Sequence, residues 1–269
     1  MGATEDTASG RPARPGGIAP HSVGGSEAEA SRPAFYALAP GGWRDYVTLL
    51  HLPYTAWHLS YVAIGAALSS AFSWSRFLPT LAAFFLAVGI GAHALDELNG
   101  RPLRTRIPGS VLVVLAVVSI AGAVAIGVVG ALTVDPWIAA FVLAGAFIVI
   151  AYNLELLGGR FHGDSWFALA WGAFPLVTAY FAAAGELDLV AAVGALFAYL
   201  TSRAQRRLST PVRDVRRRVA HVEGRIDRPD GTSEPVTAEL LVSANEGSLR
   251  FLAAAMVALA VALVLLRTV

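Results

Sequence analysis

Residues 76–108 read RFLPTLAAFFLAVGIGAHALDELNGRPLRTRIP. From 77 to 92 the run carries no charge and almost no polar side chain. About 20 such residues match the hydrocarbon thickness of a bilayer, so the stretch reads as a membrane-crossing helix. It then ends in His93, Asp96, Glu97 and Asn99, followed by Arg101, Arg104 and Arg106. Arginines suit the cytoplasmic end of a membrane helix. A plain anchor has no need of the histidine and the two carboxylates. The apolar half therefore decides the fold class, and the polar end marks where chemistry is to be sought.

The rest of the chain repeats the apolar half. Hydrophobic residues make up 56% of the 269 and charged residues 14%, whereas soluble domains carry about 25% charged residues. Seven stretches qualify as spans: 46–71, 76–95, 110–132, 136–154, 165–184, 187–204 and 248–266. They lack the two-residue alternation of barrel strands, so helices are the expected spanning form. The expectation is an all-α polytopic membrane bundle of about seven transmembrane helices. There is no cysteine, which excludes disulfides and thiolate metal sites. All twenty basic residues are arginine, which excludes lysine Schiff-base chemistry.

Residues 1–33 are rich in Gly, Pro, Ala and Ser and are expected to be a disordered tail. The membrane domain is then 34–269, with a basic cytoplasmic loop at 205–247. With the N-terminus inside, Arg101, Arg104, Arg106, Arg160 and the arginines from Arg203 to Arg218 lie on the cytoplasmic side. The outer side keeps Arg76 and Arg267 beside Asp135, Glu186 and Asp188. That bias places the chain in the cell membrane, N-terminus cytoplasmic. The first part of the 205–247 insert reads as a basic interfacial helix against anionic headgroups, and DRPDGTSEP as a turn-rich loop. The arginines after 203 are read as setting topology and contacting lipid. Membrane lipids are thus expected partners and nucleic acid is not.

Ionisable side chains at membrane depth are costly and usually line a cavity. His93, Asp96 and Glu97 share one helix face, where they can bind a divalent cation or act as acid and base. The alternative is a helix end in which the carboxylates pair with Arg101 or Arg104. A second group, AYNLELLGGRFHGDSW at 151–166, supplies Tyr152, Asn153, Glu155, Arg160, His162 and Asp164 on the same side. Asp164 can instead simply cap the following helix. A third group, His51 and His58, lies seven residues apart in the first span, where a histidine commonly bonds a neighbouring helix.

Taken in order, these motifs resemble the UbiA-type intramembrane prenyltransferases. That family carries an N-D-x-x-D-x-x-x-D motif at the inner end of its second helix, followed by an R-T-x-x-R-P-like tail. Here AHALDELNGRPLRTRIP stands in the same place, with Asp96 at the central aspartate. HLPYT resembles the entry to the family's first helix. Tyr152, Gly172, Pro175 and Tyr180 match its later Y-x-x-x-L-K and G-x-x-P-x-x-x-x-Y segments. The likeness covers about 45–205. His93 and Gly100 replace the motif's first and last aspartates, and TSRAQRRLSTPVRDVRRR stands where a second Asp-rich motif belongs.

The resemblance implies a UbiA-like bundle around a cavity. It further implies transfer of a prenyl group from an isoprenyl diphosphate to a lipid or aromatic acceptor, with Mg2+ as cofactor. On that reading Asp96, Glu97, Glu155 and Asp164 are catalytic, and Asp96 and His93 are metal ligands. His93, Asn99, Arg104, Tyr152, Asn153, Arg160 and His162 bind substrate, together with Arg203, Arg206 and Arg207, whose guanidinium groups suit diphosphate directly. Two alternatives stay open. One is a non-catalytic isoprenoid-binding or accessory membrane protein of the same fold. The other is a different metal-dependent membrane enzyme built on His93, Asp96, Glu155, His162 and Asp164.

Overall fold

The structure, a computed structural model, describes residues 32–268. The expected tail at 1–33 lies outside the described residues except for Arg32 and Pro33. The chain is mostly helical: α1 (Trp43–Leu49), α2 (Leu52–Leu68), α3 (Trp74–Leu98), α4 (Gly109–Thr133), α5 (Ile138–Asn153), α6 (Asp164–Ala184), α7 (Leu189–Arg218) and α8 (Ala238–Leu266). Four of these, α3, α4, α6 and α8, are long and apolar enough to cross a membrane. Their outward faces fit that role: Val117, Leu132 and Phe251 are 61%, 81% and 79% exposed. In water such apolar surface would be unfavourable, and in lipid it is matched.

Helix α2 is the hub, packed against α6 and α8. Trp57, Tyr61, Val62 and Ile64 of α2 meet Leu176 and Ala179 of α6, Ala198 of α7 and Met256 of α8 in the largest core cluster. Small residues let the backbones close up, as they do between membrane helices. A Cβ on Gly65 would overlap the Leu176 carbonyl, and one on Gly172 would overlap Ser202 and the Ala198 carbonyl. One buried polar network also crosses the core. Trp57 Nε1 donates to Tyr61 Oη at 2.6 Å, and that hydroxyl also bonds Thr201 Oγ1 at 2.8 Å and Ser202 Oγ at 3.0 Å.

Several element boundaries differ from the sequence reading, each for a local reason. The stretch 46–71 is broken at Leu50–His51. His51 is left-handed (φ 46°) and Pro53 opens α2, so α1 and α2 are separate helices. Helix α7 does not stop near 204 but runs on to Arg218, so the basic residues continue the same helix rather than forming a separate interfacial one. The turn-rich stretch after it forms a two-stranded hairpin, β1 (Arg225–Asp227) against β2 (Ser233–Pro235). Helix α8 begins ten residues before the expected span at 248.

Helices α3 and α6 each contain a wide π-helical stretch, Phe85–Ala92 and Leu169–Ala173. Such turns add a residue, rotate the rest of the helix and free a carbonyl. The Trp171 carbonyl takes a hydrogen bond from His58 Nδ1 at 2.7 Å.

Candidate site: a polar cavity joined to an apolar groove

The bundle ends sort into two sets. At one end Arg267 donates to the Ala67 and Ser69 carbonyls, and Arg76 donates to the Ala183 carbonyl. At the other end Asn99 Nδ2 donates to the Asn153 carbonyl at 3.2 Å, joining α3 to α5. Arg206 Nε donates to Asp164 Oδ1 at 3.0 Å, joining α7 to α6.

This second end holds a cavity of about 650 Å³ between α2, α3, α5, α6 and α7, with Pro33–Tyr36 along one side. Of the residues expected from sequence, His93, Asp96, Tyr152, Asn153, Glu155, His162 and Arg206 line it. Asp96 and Glu155 therefore share the cavity, while Asp164 reaches it only through its bond to Arg206.

Glu97, Asn99, Arg104, Arg160, Arg203 and Arg207 are not in the lining. Glu97 is 1% exposed. Its Oε2 accepts from Leu103 N at 3.0 Å and its Oε1 from Thr105 N and Oγ1, both at 2.8 Å. It organises the 99–107 loop, in which Arg101 and Arg104 hold left-handed backbone angles. Arg101 turns to the Ile107 carbonyl at 2.6 Å, Arg104 lies exposed near the Arg217 carbonyl, and Arg203 donates to Ser165 Oγ at 3.0 Å. Arg160 and Arg207 are exposed. The carboxylate–arginine pairs that a simple helix end would show are not formed at Asp96 or Glu97.

Inside the cavity, three histidines are held alike. His58, His93 and His162 each place Nδ1 against a backbone carbonyl, of Trp171, Gly89 and Tyr152 respectively. A carbonyl only accepts, so each Nδ1 carries a hydrogen and the neutral ring keeps Nε2 as an acceptor. The left-handed His51 stacks its ring on His93, centroids 3.9 Å apart, and His162 stacks on Tyr152 at 4.5 Å. The Asp96 carboxylate has no ion pair or hydrogen bond among the described residues; the guanidinium charges of Arg217 and Arg213 act on it. The buried Tyr152 Oη and Gln205 Oε1 also lack partners. Buried polar atoms are normally satisfied, and unsatisfied ones facing a cavity point to a ligand.

Several lining residues fall outside the expected set: Tyr36, Tyr54, Gln205, Ser209, Arg213 and Arg217. Burial and the neighbouring Arg206 and Arg217 lower the basicity of Arg213, and burial, then Tyr54, raises the Tyr36 hydroxyl pKa, so it stays a donor. A signal for the arginines existed. On a helix, 206, 213 and 217 fall on one stripe at spacings of seven and four.

Val88 and Trp171 belong also to a second hollow, an apolar groove of about 540 Å³ among α3, α4, α5 and α6. It runs toward Arg76 and Thr133 at the opposite end of the bundle, past Val124, Val142, Gly145 and Phe174. From Val88 to Arg76 along α3 is roughly 18 Å at the helical rise.

In comparisons with family models, with curated proteins and with solved structures, the chain has no match.

Proposed function

We propose that the chain is an intramembrane enzyme that transfers a prenyl group from an isoprenyl diphosphate to a lipid or aromatic acceptor. The observation that carries this reading is the shared wall at Val88 and Trp171. A polar, charged cavity and a long apolar groove meet there, which is the shape of an amphiphile with an ionic head and a hydrocarbon tail. Trp171 stands at the junction, with the Tyr152 ring 5.4 Å from it and Phe167 also lining the polar side, and such aromatic rings would stabilise an allylic cation.

On this reading the C1–O bond of the allylic diphosphate breaks and its electron pair leaves on the diphosphate. The acceptor supplies the pair for the new bond to C1. The proton it loses passes to Asp96, whose carboxylate has no other partner among the described residues. Magnesium held as the resemblance implies needs several convergent oxygen ligands. Asp96 is the one half-buried carboxylate of the lining, since Glu155 and Asp214 are exposed. Among the described residues no three His, Asp or Glu side chains group to hold a metal ion. The residues present do not fit that ligand set.

The same misfit favours one other reading, a protein of this shape that binds an isoprenoid lipid without transforming it. Incubation with a panel of isoprenyl diphosphates and candidate acceptors, with assay of released diphosphate, separates the two. Prenyl transfer predicts release that stops in Asp96→Asn. Bound lipid with no release from any donor would leave the carrier reading.

A further inference from the structure

Helix α7 carries six arginines past the span expected at 187–204, and three of them are paired with carboxylates. Arg206 pairs with Asp164 at 3.0 Å, Arg218 with Asp214 at 3.7 Å, and Arg216 with Glu246 and Glu239. Arg213 and Arg217 are different. Both line the cavity, and neither forms an ion pair with a carboxylate among the described residues. Arg213 reaches Thr210 Oγ1 at 3.2 Å, and Arg217 Nε reaches the Pro33 carbonyl at 3.3 Å. Each keeps further N–H donors for something else. Two guanidinium groups beside Arg206, in a half-buried pocket, repel one another and are stabilised by an anion between them.

The remaining wall suits the same guest. Tyr36, Tyr54 and Tyr152 line the cavity, and none of their hydroxyls bonds another protein group among the described residues. Asp96 lines the same cavity and forms no ion pair with either arginine among the described residues.

We infer that Arg213 and Arg217 form a metal-independent site for a phosphate or diphosphate group, with the tyrosine hydroxyls as additional donors. Guanidinium forks match phosphate oxygens in pairs, whereas the lining carboxylates Asp96, Glu155 and Asp214 form no group that could hold a metal ion among the described residues. The inference rests on reading the cavity as the head compartment of a phosphorylated amphiphile and names what grips the head.

The test measures binding of inorganic diphosphate and of a C15 isoprenyl diphosphate to the full chain in detergent, with magnesium and with excess EDTA. Wild-type protein is expected to bind the isoprenyl diphosphate equally in both buffers, and inorganic diphosphate more weakly in both. Arg213→Gln and Arg217→Gln should each weaken binding about tenfold or more, the loss of a charge-assisted bond. Arg213→Lys and Arg217→Lys keep the charge without the fork and should lie between, which guards against loss of fold in the glutamine variants. Binding that needs magnesium, vanishes in Asp96→Asn and survives both arginine changes would overturn this inference and leave the proposed transfer reaction standing. No binding of either probe in any buffer would overturn both.

Discussion

Asp96 and Glu97 are neighbours in sequence and opposites in space. Glu97 accepts three hydrogen bonds from Leu103 and Thr105, and Asp96 accepts none and opens into the cavity. Replacing Glu97 by Ala strands buried donors, each costing about 1–3 kcal/mol. Glu97→Ala should therefore lower the thermal midpoint in detergent by several degrees. Asp96→Asn should leave that midpoint within error while abolishing product formation. A stable Glu97→Ala variant would remove the structural role assigned to Glu97.

Tyr152 offers a cleaner separation of folding from function. Its hydroxyl is buried without a partner, so Tyr152→Phe deletes a desolvated group and no protein hydrogen bond. The variant should melt at or above the wild-type temperature. Turnover should fall by about tenfold, the equivalent of one lost hydrogen bond of about 1.4 kcal/mol. Unchanged turnover would mean that the hydroxyl meets no substrate.

The close approach of α2 to α6 rests on Gly65. A side chain there collides with the Leu176 backbone, which cannot swing aside as a flexible side chain could. Overpacking costs about 1–3 kcal/mol when the surroundings yield and more when they do not. Gly65→Val should thus reduce the yield of monodisperse protein far more than Gly247→Val, where the added atom meets open space.

Arg216 and Glu246 are 4% and 3% exposed and bonded at 2.5 and 2.8 Å, which locks the end of α7 to the start of α8. Their hydrogen bond strengthens the basicity of Arg216. Breaking one side of a buried pair costs about 3–5 kcal/mol, whereas replacing both with apolar groups is often neutral. Arg216→Met should destabilise strongly, and Arg216→Met with Glu246→Leu should recover most of the loss in a thermal melt. A double variant as unstable as the single one would contradict this.

The helical, membrane-type character was legible because long apolar runs are the strongest signal a sequence carries, although four helices, not the seven stretches expected, are long and apolar enough to cross a membrane among the described residues. What escaped depended on local backbone geometry. Nothing in HLP announces the left-handed His51 that splits the first span, although Pro53 hints at a helix start. The π-helical stretches of α3 and α6 likewise leave no periodic mark. The cluster of Asp96, His93, Tyr152 and His162 was visible as polar residues at helix ends. Glu97 was indistinguishable from Asp96 by composition, since only the fold of the 99–107 loop tells them apart. Arg213 and Arg217 escaped because a basic stretch read as setting topology and lying against lipid headgroups hides the stripe that a helix continuing into the bundle creates.

The most direct measurement uses an isoprenyl diphosphate with a photoreactive group on its tail, cross-linked to the protein in lipid nanodiscs and mapped by peptide mass spectrometry. Occupation of the joined cavity and groove predicts labels at groove positions such as Val124, Val142 and Phe174, competed away by the unlabelled diphosphate. Labels spread over outward positions such as Val117 and Phe251, and insensitive to competition, would contradict it.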